Sequence, residues 1–429
     1  MKKKKDVILC LSFLFLSLPA GGADQGGKLS LNELLSLAKE RNPGLLALQA
    51  EVKAGQFRVL PKATLPDPIV SFSLRNIGAT EFTVGKEMMS GVGFYVSQMI
   101  PFPGKLRLRG EIALTRVRRA EQTMDAYTLS LFRQLKELYA RIFYYQNALE
   151  VLEKKKAFLE KALEAATIRY SVGGGAQNDV FKARLEISEL EQMIQPMEQM
   201  LQAAQGQVNS LLNLPVNNPL GPTEEIPVYR LKASLEELLA AAQNSPRLLE
   251  ARLMVEEQEK EVKLSRREFW PDLMVQVGKA FKGRFKDMYE VMVGVEVPIF
   301  LPRKQANLLE AAVAELSRSR HSFSSLENEL QSLVKENYLM AKTAENLIIV
   351  IRDSLLSQAS FTLESSLANY QVGKVDFLTL LTDIDSLYSY EMEYYRQLSD
   401  LWQAVSRLEE LTGLNLLNEE KNENEGEKN

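Results

Sequence analysis

The sequence predicts a mainly α-helical fold with a small β part: duplicated long-helix coiled-coil units, plus four strands per chain. Three observations lead there. The second half of the chain repeats the first about 200 residues later. Each half holds a very long proline-free segment, Lys105–Tyr170 and Arg303–Tyr370. Each half also holds a stretch in which apolar residues alternate with small or polar ones, the period of a strand.

The repeat is carried by short phrases. Tyr170-Ser171-Val172-Gly173 returns as Tyr370-Gln371-Val372-Gly373, and Leu211-Leu212-Asn213-Leu214 as Leu411-Thr412-Gly413-Leu414. Pro101-Phe102-Pro103-Gly104-Lys105 has a looser echo in Pro298 to Lys304. Asn42-Pro43 followed by Pro66-Asp67 is echoed by Ser245-Pro246 followed by Pro271-Asp272. The units span 24–213 and 234–417. Between them, 214–233 is a linker with Pro215, Pro219, Pro222 and Pro227.

Residues 1–23 read as a secretory signal: Lys2 to Lys5, an apolar run from Val7 to Leu18, then Gly21-Gly22-Ala23. That run falls short of the roughly 20 residues that span a bilayer. A helix is expected over 30–60, with Ser30 and Glu33 as a capping box and Pro61, Pro66 and Pro68 as its end. In the hairpin at 69–100, Ile69, Ser71 and Ser73 alternate with Val70, Phe72 and Leu74. Val92, Phe94 and Val96 then alternate with Gly93, Tyr95 and Ser97.

The first long helix carries Leu131, Leu135, Leu138, Ile142, Tyr145, Leu149, Leu152, Leu159, Leu163, Ala166 and Tyr170 at heptad spacing. A helix over 178–213 follows, with a local kink expected at Gln195-Pro196. The second unit repeats the series: helix 234–268, hairpin 273–299, and a long helix with Leu326, Leu330, Leu333, Met340, Leu347 and Ile351 on its seam. The last helix spans 377–412. Two short helices end to end match one long helix, so they are expected to stack beside it as a wall. The tail, 418–429, has no apolar side chain and is expected to be disordered.

Composition excludes whole classes of function. A net charge of −4, made more acidic once Lys2 to Lys5 and Asp6 are cleaved away, carries no nucleic-acid signature. The only cysteine, Cys10, lies in the leader, so the mature chain has no disulfide, thiolate metal site or thiol catalysis. Apart from the leader, no apolar run approaches membrane-spanning length. Crossing a membrane then requires strands closed into a barrel. Four strands are too few to close one, so a spanning protein must be an oligomer.

No nucleophile, acid–base pair or cofactor loop is present, so the chain is not read as an enzyme and no cofactor is expected. His321 is the only histidine and reads as a surface residue. Met193, Met197 and Met200 stand at helical spacing; thioethers suit Cu(I), but packing is the better reading. Lys105, Arg107 and Arg109 read as a basic collar where strand becomes helix, and Phe102, Phe269 and Trp270 suit a membrane-interface belt there.

The leader, the duplicated units, the phrase Ser97-Gln98-Met99-Ile100-Pro101-Phe102-Pro103-Gly104-Lys105 and the Tyr-x-x-Gly turns resemble the TolC-like outer-membrane efflux proteins. Leu65-Pro66-Asp67-Pro68 and Phe102 to Arg109 resemble the branch that serves heavy-metal efflux. The resemblance implies a homotrimer in the bacterial outer membrane, each copy giving four strands to a 12-stranded transmembrane β-barrel. The helices would form a periplasmic tunnel closed at its far tip. It further implies a periplasmic adaptor protein, an inner-membrane pump of RND type, contact with outer-membrane lipid, and passive export of small solutes.

By the same resemblance the gate lies at the turns after the long helices, with Tyr170, Gly173, Asp179, Tyr370, Gly373, Asp376 and Asp383 as its residues and Asp385 nearby. Aspartates expected six and nine residues after the second glycine are Thr379 and Thr382. A capping role for Asp376 is the simpler alternative. Two rival readings are an outer component of type I protein secretion, which genome neighbours would separate, and a soluble periplasmic coiled-coil scaffold.

Overall fold

The computed structural model describes residues 28–79 and 81–417; the leader at 1–23 and the tail at 418–429 lie outside them. The first half runs α1 (Leu31–Arg41), α2 (Pro43–Ala63), β1 (Ile69–Arg75), β2 (Gly91–Ile100), α3 (Lys105–Ser171) and α4 (Gln177–Leu211). The second runs α5 (Leu235–Ala242), α6 (Pro246–Arg267), β3 (Asp272–Phe281), β4 (Met288–Glu296) and α7 (Gln305–Val350). It continues through a π turn (Ile351–Leu355) into α8 (Leu356–Gln371) and ends with α9 (Phe377–Thr412).

Each opening helix is broken once, where a single helix was expected. Proline holds the first position of both α2 and α6 and drives the residue before it, Asn42 or Ser245, into extended backbone. The Asn42 side chain then caps α2, accepting from Leu45 N at 3.0 Å. The capping box expected at Ser30 does not form; the complete box lies at Ser234 and Glu237, ahead of α5. Pro61 sits inside α2, which continues to Ala63.

Helix α3 has 67 residues, about 100 Å at 1.5 Å per residue. Leu131, Leu135, Leu138, Ile142, Leu152, Leu159 and Ala166 are buried along its seam. The end-to-end stacking of the short helices is explicit. Asn42 Nδ2, at the start of α2, donates to Leu211 O at the end of α4, 2.9 Å away. Pro246, at the start of α6, lies against Gly413, just past α9. Helix α4 runs through Pro196 without interruption.

The α7 seam departs from the expected one in part: Leu330 and Ile351 are buried as expected and Leu326 and Leu333 pack against the core. Leu330, Val334, Asn337, Ala341, Ala344, Ile348 and Ile351 are buried, while Met340 and Leu347 are exposed. Two heptad rows lie side by side here, and the row with alanines allows the closer approach of α9. One buried cluster joins the middle of α3 and α7 to α5 and the last turns of α4 and α9. A second joins the lower part of α3 to α4, α8 and the start of α9.

The strands form one antiparallel sheet in the order β1-β2-β3-β4, leaving β1 and β4 as its edges. The register sets Phe72 opposite Phe94, Val96 opposite Val277, and Val277 opposite Val291. One face therefore carries Val70, Phe72, Leu74, Phe94, Val96, Val277, Val291, Val293 and Val295, all exposed. The other carries Ser71, Ser73, Gly93, Tyr95, Ser97, Gln276 and Gly278, with Met274 and Met292 among them. A sheet apolar on its exposed face and mainly small or polar on the other suits a wall between lipid and water. Among the described residues no helix is long and apolar enough to cross a membrane.

Candidate functional site: the helical tip and the strand–helix junction

At one end of the molecule α3 turns into α4 and α8 turns into α9. Both turns need a left-handed residue, and glycine supplies it: φ is +75° at Gly173 and +79° at Gly373. Tyr370, in the last turn of α8, is completely buried, with 0% of its surface exposed. Its ring lies between Phe377, with centroids 5.3 Å apart, and the Arg169 guanidinium, 4.6 Å above its centroid.

The same guanidinium donates from Nη1 to Tyr370 O at 2.7 Å and from Nη2 to Gly174 O at 2.9 Å. The Tyr370 hydroxyl approaches Asp179 Oδ2 at 3.5 Å, the outer limit of a hydrogen bond. Burial, and then the Asp179 carboxylate, push the Tyr370 hydroxyl above the usual tyrosine range. Arg169 and Asp179 come from the first repeat, Tyr370 and Phe377 from the second. This cluster clasps the two repeats together.

Tyr170, the counterpart of Tyr370, is 47% exposed. Asp376 caps α9, its Oδ1 accepting from Thr379 N at 2.8 Å. The Thr379 hydrogen bonds hold its carboxyl below the ordinary aspartate range. Asp383 accepts from the Ser366 hydroxyl, tying α9 to α8. Asp385 pairs with Lys155 of α3 at 2.7 Å. Thr382 Oγ1 donates to the helix carbonyl of Leu378 at 3.0 Å. Val172 and Val372, in the two turns, are among the most exposed apolar side chains of the tip.

At the other end of α3, Phe102 and Trp270 stack with centroids 5.2 Å apart and planes 12° from parallel. Phe269 is half-buried and Trp270 exposed. Lys105, expected in a basic collar at this junction, is buried. Its side chain is 2% exposed, 2.8 Å from Asp272 and 3.1 Å from Glu268, and it donates to Trp270 O at 3.1 Å. A buried ammonium needs such partners, so its charge is neutralised inside the protein. Arg109 also pairs with Glu268, while Arg107 is exposed and pairs with Glu111.

Met193 and Met200 are exposed and stand outside both cores, so the packing expected of them is not within this chain. His321 is at the surface. Among the described residues no group of three or more His, Cys, Asp and Glu could hold a metal ion. Sequence reading missed Arg169; its only signal was a cation one residue before the repeated tyrosine.

A helical wall about 100 Å long, with its two repeats clasped together at one end and a sheet with an exposed apolar face at the other, has the parts of a membrane channel. The chain belongs to the outer membrane efflux protein family, whose model matches residues 34–214 and 238–414, one match to each repeat. It is an outer-membrane transport channel with a long periplasmic helical tunnel, and not an enzyme. The chain is 20% identical over 397 residues to the cobalt-zinc-cadmium resistance protein CzcC of Cupriavidus metallidurans, covering 92% of each chain. Among solved structures it resembles the outer-membrane channel OprN, with a TM-score of 0.78 at 14% identity, covering 90% of each chain. It also resembles CusC, with a TM-score of 0.77 at 16% identity, covering 89% of this chain and 91% of that one.

Proposed function

We propose that three copies of the chain form a passive export duct, gated at the tip where Tyr370 is clasped. The observation that carries this reading is the Arg169–Tyr370–Asp179 cluster. It joins the ends of two separate coiled coils by contacts that can be broken without unfolding either. Each contact is local, so an outside partner can bias the closed and open arrangements by binding one of them better. The protein supplies a continuous water-filled path and no covalent chemistry. Energy comes from an inner-membrane pump, of RND type, linked through a periplasmic adaptor. Exposed Val172 and Val372 give that adaptor an apolar foothold at each turn.

Small solutes are the proposed cargo, with heavy-metal cations favoured by the likeness to CzcC along 92% of the chain. Asp179, near the turn and not used as a helix cap, is the proposed acidic group of the entrance. Asp376 and Asp383 act first as helix-cap and helix-pair acceptors.

Planar-bilayer recording tests the gate. The wild-type protein is expected to rest at low conductance, and Tyr370→Ala to raise it several-fold. Unchanged resting conductance in both Tyr370→Ala and Asp376→Ala would remove the tip from the gating role. Export of cobalt, zinc or cadmium ions from cells carrying the matched pump tests the cargo.

A further inference from the structure

We infer that β4 of one copy pairs with β1 of the next in one register, with Val293 opposite Phe72 of the neighbouring copy, so that Glu290 faces Arg75 of that copy. This rests on the channel reading. It specifies the seam by which copies join.

The seam inside the chain supplies the register. Strands β1 and β3 are repeat counterparts, because Pro66-Asp67 precedes the first as Pro271-Asp272 precedes the second. This places Phe72 on Val277. Strands β2 and β4 are counterparts through Ile100-Pro101 and Val297-Pro298, which places Val96 on Val293. Within the chain Val96 lies opposite Val277. Carried to the open edges, β4 and β1, the same pairing sets Val293 opposite Phe72 of the next copy. Among the described residues both edges lack a strand partner, and an open edge cannot persist in lipid.

Three features agree with this register. First, the faces match along the seam. Val70 meets Val295, Phe72 meets Val293 and Leu74 meets Val291 on the lipid side, while Ser71 meets Gly294 and Ser73 meets Met292 on the other. A slip of one residue would bring each apolar residue opposite a residue of the inner face.

Second, the charges match. Arg75 and Glu290 already form a bidentate pair within the chain, at 2.7 and 2.5 Å. There Arg75 must reach across two strands, over the Tyr95 ring at 5.1 Å and past Gly93 and Gly278. Between copies the same two side chains stand directly opposite on adjacent strands.

Third, the seam continues into the helices. Gln305 opens α7 as Lys105 opens α3, and it is buried with Oε1 lacking any hydrogen bond. Asp67, the counterpart of the Asp272 that holds Lys105, is exposed and makes no ion pair or side-chain hydrogen bond among the described residues. Across the seam these two stand where Lys105 and Asp272 stand inside the chain.

The test uses the full chain with Cys10, its only cysteine, replaced by serine. One tagged copy carries Ser73→Cys and a co-expressed copy carries Met292→Cys, so that any disulfide must join two molecules. A parallel pair, Ser71→Cys with Met292→Cys, reports a two-residue slip that would keep the faces. Opposed residues hold their Cβ atoms about 4.5–5.5 Å apart, and a slipped pair is farther by about 7 Å along the strand, so the first pair is expected to cross-link roughly tenfold faster or more.

Faster cross-linking of the slipped pair would overturn the register. Failure of both pairs with normal bilayer conductance would overturn it and leave the channel reading standing. Failure of both with no conductance would remove the two together.

Discussion

The two tip tyrosines share the Tyr-x-Val-Gly phrase and have opposite fates. Tyr370 is fully buried between Arg169, Phe377 and Asp179, whereas Tyr170 is half exposed. Backbone does not distinguish them, because both precede a glycine in the left-handed region. Their partners do. The first repeat presents Arg169 and Asp179 to Tyr370. The equivalent positions of the second repeat are Asn369 and Thr379, which offer Tyr170 neither a cation nor an anion. Duplication preserved the shape of the turn and let its chemistry diverge. The clasp is built on one side only.

The largest expected effect breaks this comparison outright. Replacing a fully buried aromatic with alanine costs about 3–5 kcal/mol, so Tyr370→Ala should loosen the tip and expose the turn at 372–376 to protease. Tyr170→Ala, at an exposed position, should change stability by less than about 0.5 kcal/mol. Equal proteolysis of the two variants would mean that the tips are equivalent after all.

Next in size is Arg169. Arg169→Gln removes a stacked cation and two charged donors to backbone carbonyls, an expected loss of about 1–3 kcal/mol. Tyr370→Phe keeps the ring and loses only a hydroxyl at the limit of hydrogen-bonding distance from Asp179, an expected loss of about 1 kcal/mol or less. Chemical denaturation of the two single variants and the double variant gives their coupling. A coupling near zero would show that Arg169 acts through the ring and the backbone carbonyls and not through the Tyr370 hydroxyl.

The same contrast explains how much could be read from sequence. The long helices and the two hairpins were legible because heptad and alternating periods are local and strong. The break at Asn42-Pro43 was visible but passed over, since the helix on either side keeps its apolar period. The α7 seam was misread in part, because hydrophobicity picked Met340 and Leu347, while close packing chose Ala341 and Ala344.

At the site, the repeated Tyr-x-x-Gly located the tip, yet nothing in one strand of sequence says that Arg169 lies over Tyr370, 201 positions away. Lys105 shows the reverse error. A cation at a strand–helix junction looks like a membrane collar until Glu268 and Asp272 arrive from the other repeat.

The smallest expected effect sharpens the comparison at Asp376, whose cap has a counterpart in Ala176 with no side-chain cap at all. The Asp376 carboxyl is held below its ordinary range by Thr379. A group depressed on folding adds stability above its unfolded value of about 4, and that stability is lost as pH falls through the folded value. The start of α9 should therefore fray on strong acidification while that of α4 does not change for this reason. Asn can cap as Asp does, so Asp376→Asn should keep the thermal midpoint near neutrality and flatten its fall in acid, whereas Asp376→Ala should lower it slightly at every pH. Thermal scans between neutral pH and about pH 3 compare the three proteins. Identical acid profiles for wild type and Asp376→Asn would show that the second tip, like the first, draws no stability from a charged cap.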